Sequence, residues 1–198
     1  MAADVYTFHV TYNELPDKIW RTIELSSRYP MDSLGYCILA SFETLAYHLF
    51  SFEFKGQSFC IPSEWDQPNS KNRDMAAVRL EQLGLQSGDT IELFYDFGTT
   101  QHFHLELKKI CPMKKGTGTH YPYIIAGAGR GILDDYPAEK LAELIAQIDS
   151  YGKTENEIYY NESRVPWDYR DYSLDIDNIL LKGRIQCIKE GYRPFWEK

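Results

Sequence analysis

Two of the five histidines, His102 and His104, stand two positions apart in QHFHLELKK. On a β-strand that spacing sends both imidazoles to one face. Imidazoles grouped with carboxylates are ligands for zinc and related ions. Asp96 shares that face if the preceding run is the partner strand, and His48 with Asp134 or Asp135 supplies further donors. Such a group would hold a metal whose bound water is a nucleophile, or would move protons itself. The competing reading is a solvated sheet face, where HxH is common. No partner histidine stands at a fixed spacing, so no metal or other cofactor is assigned.

The elements that must position these groups begin with GDTIELFYDFGTTQHFHLELKK, Gly88 to Lys109. Ile91, Leu93 and Tyr95 alternate with Glu92, Phe94 and Asp96, and Phe103, Leu105 and Leu107 alternate with His102, His104, Glu106 and Lys108. Two alternating runs around a glycine-containing turn predict a β-hairpin with one apolar and one polar face. In the turn, Asp96 is expected to accept backbone hydrogen bonds, Gly98 to take a positive φ and Phe97 to cover the core.

Tyr6, Phe8, Val10 and Tyr12 form a first strand, and Ile19, Arg21, Ile23 and Leu25 its hairpin partner, with Trp20 and Arg21 a stacked, partly exposed pair. Asp32 or Ser33 can cap a helix with Leu34, Ile38, Phe42 and Leu45 on one side. Phe50, Phe52, Phe54 and Phe59 flank a Lys55-Gly56 turn between strands, and SEWDQPNSKNRD is a surface loop. A short helix from Asp74 to Leu83, ended by Gly84, is expected next. Lys114-Lys115-Gly116-Thr117 does not match GxxxxGK[ST], and Gly127, Gly129 and Gly131 lack the dinucleotide spacing, so neither is a nucleotide loop. Asp134 or Asp135 and Pro137 begin a helix with Leu141, Leu144, Ile145 and Ile148 as its stripe, ended by Gly152. For Arg130 an ion pair with Asp134 or Asp135 is expected, with a phosphate contact as the alternative. Tyr159, Tyr160, Trp167, Tyr169 and Tyr172 then mark an aromatic coil, and Asp177 caps a last helix stopped by Gly191 and Pro194.

The 198 residues are 43% hydrophobic and 25% charged, as in folded soluble chains. The net charge of −8 repels phosphate backbones, so nucleic-acid binding would need a local basic patch. Four cysteines without a CxxC pair read as reduced thiols of a cytoplasmic protein. The opening MAADVYTFHV has no basic stretch followed by an apolar run, so no secretory signal is expected, and no run reaches the about 18 apolar residues that span a bilayer.

IWRTIEL, HLFSFEF, VRLEQLGLQSGD leading to FYDFG, and YPYIIAGAGRGILDD, with SLDIDNILL as a weaker piece, resemble the plasmid pRiA4b open-reading-frame-three-like family, whose members are also labelled passenger proteins of insertion elements. The resemblance runs from about Tyr6 to about Ile148. It implies an α+β domain, with a mixed sheet built from hairpins and helices packed on it, and a β-grasp-like layout is compatible with it. It implies no settled activity. The positions it carries are Trp20, Arg21, His48, Leu49, Phe52, Tyr95, Asp96, Phe97, Gly98, Asp134 and Asp135. The chain departs from the family after YDF, where Gly98-Thr99-Thr100-Gln101 replaces a Gly-Asp and tryptophan, and after Asp134-Asp135, where Tyr136-Pro137 replaces Gly-Gly.

Residues 1–152 are thus expected to form the α+β domain, with 153–198 an acidic, aromatic extension packed on it. The functional expectation is a non-catalytic module of a mobile-element-associated family, binding a protein partner or nucleic acid and no membrane, as monomer or homodimer. Its candidate contacts are Trp20, Arg21, Arg130 and Trp167. The alternative is a small metal-dependent or acid/base enzyme using His48, Tyr95, Asp96, His102, His104, Asp134 and Asp135.

Overall fold

A computed structural model describes residues 3–62, 72–155, 158–159 and 165–196. The architecture is α+β, one mixed sheet with helices packed on it. Its strands are β1 (Asp4–Tyr12), β2 (Trp20–Ser26), β3 (Phe50–Phe54), β4 (Gln57–Cys60), β5 (Arg73–Asp74), β6 (Thr90–Tyr95), β7 (Gln101–Pro112) and β8 (Tyr123–Ala128). They lie in the order β5-β4-β3-β6-β7-β1-β2-β8, and only the short β4–β5 pair is parallel.

The alternation read in the sequence sets which face is buried. Phe8, Val10, Ile23, Phe52, Leu93, Phe103 and Leu105 are fully buried on one face. Glu92, His102 and His104 stand on the other, with Glu92 opposite His104 and Phe94 opposite His102 in the β6–β7 register. Helix α1 (Met31–Ser41) lies in the core with nearly all its residues buried. Gly35 admits Phe50 there, since a Cβ on it would come within 2.2 Å of the Phe50 ring. Helix α2 (Ala138–Tyr151) buries Leu141, Ile145 and Ile148, and Gly152 ends it at φ 78°. Helix α3 (Leu174–Trp196) packs on α1 and along β8. Among the described residues, no helix is long and apolar enough to cross a membrane.

Several local expectations are corrected. Residues 74–83 form no α-helix, only a 3-10 turn at Leu80–Gln82. The segment's backbone groups are spent elsewhere: Met31 N–H donates to the Met75 and Val78 carbonyls, and Leu80 N–H to that of Tyr29. Helix α1 starts one residue before Asp32, after Pro30, and ends before Leu45, which is exposed. Asp134 and Asp135 do not cap α2, which Pro137 precedes directly. Helix α3 begins three residues before Asp177, where Ser173 Oγ accepts the Ile176 N–H, and it passes Gly191 and Pro194. In the YDFG turn Asp96 and Thr100 take the positive φ values, 54° and 52°, in place of Gly98, and Phe97 is exposed. Asp96 does accept turn hydrogen bonds, from Gly98 N–H at 3.1 Å and from the Thr99 hydroxyl. The predicted surface loop lies mostly outside the described residues, as does Tyr160.

Candidate functional site

Three segments distant in sequence meet at the turn end of the β6–β7 hairpin. The chain entering β3 carries Tyr47 and His48, the turn leaving β6 carries Asp96, and the loop before α2 carries Asp134 and Asp135. His48 lies between two carboxylates, with Nε2 2.9 Å from Asp135 Oδ1 and Nδ1 3.6 Å from Asp96 Oδ1. One donor atom from each of the three lies within 4.8 Å of the others. Asp96 is buried, His48 half-buried and the Asp135 side chain 60% exposed, so the cluster runs from the interior to the surface.

Hydrogen bonds hold each member. Asp134, buried beside them, accepts the Tyr95 hydroxyl at 2.7 Å and the Leu45 N–H at 2.7 Å. The Tyr47 hydroxyl donates to Asp135, and the Tyr192 hydroxyl of α3 donates to the His48 carbonyl. Gln101 donates to the Tyr136 carbonyl at 2.6 Å and so ties the acidic loop to β7. Asp96 and Asp135 both sit in the left-handed backbone region, which aspartate tolerates better than most residues. Burial holds the Asp134 carboxyl above its ordinary range, against the hydrogen bonds from Tyr95 and Leu45. Asp135 is held below it, first by the Tyr47 hydroxyl. Burial and the Asp134 carboxylate together raise the Tyr95 phenol. A cleft of about 230 Å³ opens beside the cluster, lined by Leu45, Leu133, Asp134 and Asp135 and by Tyr47, Tyr136 and Tyr159.

Of the seven residues of the candidate functional face, five converge here: His48, Tyr95, Asp96, Asp134 and Asp135. His102 and His104 belong to a separate group on the polar face of the sheet, where they flank Glu92 at 2.8 and 2.7 Å. Asp96 is not on that face, because its left-handed backbone turns it out of the strand.

The candidate contact residues are dispersed. Trp20 is half-buried and packs on His9 at 5.2 Å. Arg21 is fully buried, not partly exposed. It donates to the Ser41 carbonyl at the C-terminal end of α1, to the Trp20 and Ala128 carbonyls, and stacks 4.1 Å from the Tyr172 ring. Its Nε lies 3.5 Å from Asp177, which Arg184 also holds at 2.9 Å. Arg130 reaches Glu43 at 3.9 Å, not Asp134 or Asp135. Trp167 is buried, its indole N–H donating to the Gly131 carbonyl at 3.0 Å.

Sequence reasoning missed Tyr47, Gln101, Tyr136, Tyr159 and Tyr192 at this site. Tyr47, adjacent to His48, and Tyr136, adjacent to Asp135, carried a signal that could have been followed.

No curated protein matches the chain. Among solved structures, the chain is similar to a protein of unknown function, MM3350 from Methanosarcina mazei Go1, at 21% identity and a TM-score of 0.67 over 87% of this chain and 99% of that one, a likeness of fold. Residues 4–176 match the family model described as plasmid pRiA4b ORF-3-like protein, and the chain belongs to that family.

Proposed function

We propose that the protein is a non-catalytic recognition module whose cleft takes a basic segment of a protein partner. The observation that carries this reading is the convergence of three tyrosines, Tyr47, Tyr136 and Tyr159, with Asp134 and Asp135 around one cleft. Aromatic faces attract ammonium and guanidinium groups, and a carboxylate fixes their position. The net charge of −8 supports a basic partner over nucleic acid, since it steers cations inward and repels phosphate. The four free thiols support a reducing, cytoplasmic setting.

A short lysine- and arginine-rich peptide titrated into labelled protein tests this by NMR. Shifts at residues 45–48 and 133–136, lost in Tyr136→Ala and absent with an acidic peptide, are expected. Shifts confined to the polar face around Glu92, or none, would sink the reading.

The second reading, an acid/base enzyme, draws on His48 lying between Asp96 and Asp135. An imidazole oriented by a carboxylate can shuttle protons, and the cleft beside it gives a substrate access. It places the chemistry at the turn end of the hairpin and away from His102 and His104.

A further inference from the structure

We infer that His48, Asp96 and Asp135 form a binding site for one divalent transition-metal cation. The inference goes beyond the recognition reading and does not depend on it.

The donor set comes first. One imidazole nitrogen and two carboxylate oxygens, all within 4.8 Å of one another, are supplied by three separate segments. The mixture of nitrogen and carboxylate oxygen suits Zn²⁺ or Mn²⁺. The separation of His48 Nδ1 from Asp96 Oδ1, 3.6 Å, is close to the ~3.4 Å between two ligands of a tetrahedral ion with bonds of about 2.1 Å. Asp135, with its side chain 60% exposed, turns from the Nε2 side of the ring to the ion by giving up its contacts with the Tyr47 hydroxyl and His48 Nε2.

Charge gives an independent reason. Asp96, Asp134 and Asp135 surround a single imidazole, which carries one positive charge at most. Among the described residues, no lysine or arginine forms an ion pair with Asp96 or Asp135. A dication on His48 balances the two carboxylates it touches. Asp134 lies outside this set, because the Tyr95 hydroxyl and the Leu45 N–H occupy its oxygens. Outer hydrogen bonds from Gly98 and Thr99 hold Asp96 with Oδ1 toward His48, as ligand carboxylates are held in metal sites. Three protein ligands leave coordination positions open, and one of the three, Asp135, lines the cleft. A bound ion takes Asp135, so it weakens the hold on a basic segment.

Calorimetric titration of the full chain with Mn²⁺, and of Cys187→Ser with Zn²⁺ so that the exposed Cys187 thiol cannot contribute, tests the site. One equivalent is expected to bind. His48→Ala and Asp135→Asn should each weaken it by about tenfold or more, while His104→Ala leaves it unchanged. Asp135 is exposed, so its variant reports on binding even if changes at buried Asp96 unfold the protein. No saturable binding, unchanged affinity in both variants, or equal loss in His104→Ala would overturn the proposal. The titration uses no peptide, so its failure and that of the recognition reading are separate results.

Discussion

The side chain of Asn178 holds Ile124 by both backbone polar groups. The Ile124 N–H donates to Asn178 Oδ1 at 2.9 Å, and Asn178 Nδ2 donates to the Ile124 carbonyl at 2.8 Å. Strand β8 is the last of its sheet, so these are groups that another strand would otherwise engage. One residue of α3 supplies that rung and fastens the helix to the sheet edge.

Asn178→Ala strips two half-buried backbone groups of their partner, and the expected loss is about 1–3 kcal/mol in urea denaturation. The freed edge should also promote association, visible as a concentration-dependent mass in light scattering. An unchanged urea midpoint would mean that water serves Ile124 as well as the amide does.

Arg21→Met removes a guanidinium that offsets the charge of buried Asp177. Breaking a buried pair commonly costs about 3–5 kcal/mol. Arg184 remains on Asp177, which puts the expected loss at the lower end. Arg21→Met with Asp177→Asn should recover part of it in the same urea assay, and a double variant less stable than the single one would refute this account.

Trp167→Ala should act on stability before it acts on any partner. The indole is buried and bonded to the Gly131 carbonyl, and truncating such a residue costs about 3–5 kcal/mol. A Trp167→Ala protein with native melting temperature would show that the segment is peripheral to the fold.

Asp134→Asn should change how stability depends on pH. Burial holds the Asp134 carboxyl above its ordinary 3.8, so the folded state keeps a proton that the unfolded chain releases. Wild-type stability therefore falls, for this group, as pH rises from 3.8 through the folded value. Asp135 opposes it: its lowered value gives stability that is present above 3.8 and lost as pH falls through the folded value. Urea midpoints across this range should show Asp134→Asn gaining on the wild type as pH rises. A constant difference would mean that Asp134 titrates alike in both states.

Much of this architecture was legible because a period of two reports which face of a strand a side chain occupies. The stripe of α2 follows from the helical period of 3.6, and the hairpins β1–β2, β3–β4 and β6–β7 follow from the period of two. It reports nothing about distance. Glu92 therefore claims His102 and His104, while Asp96, one residue past the strand, turns away to His48. Arg21 alternates with buried residues, yet its charge made it read as surface, because Asp177 lies 156 positions away in sequence and leaves no local trace. The segment of Trp167 read as a coil packed on the domain, but nothing local showed that the indole itself turns inward to the Gly131 carbonyl instead of outward to a partner. Residues 74–83 have helical spacing, but their backbone partners lie at the start of α1. The five of seven candidate residues that converge, His48, Tyr95, Asp96, Asp134 and Asp135, are among the eleven positions that the family resemblance carried, which local periodicity alone could not bring together.

The bond from Tyr192 to the His48 carbonyl links positions 144 residues apart. During synthesis His48, Asp96 and Asp135 will all have left the ribosome before the residue that braces them is made. The nascent chain can lay down its sheet early, but the cluster gains its last support only when α3 docks.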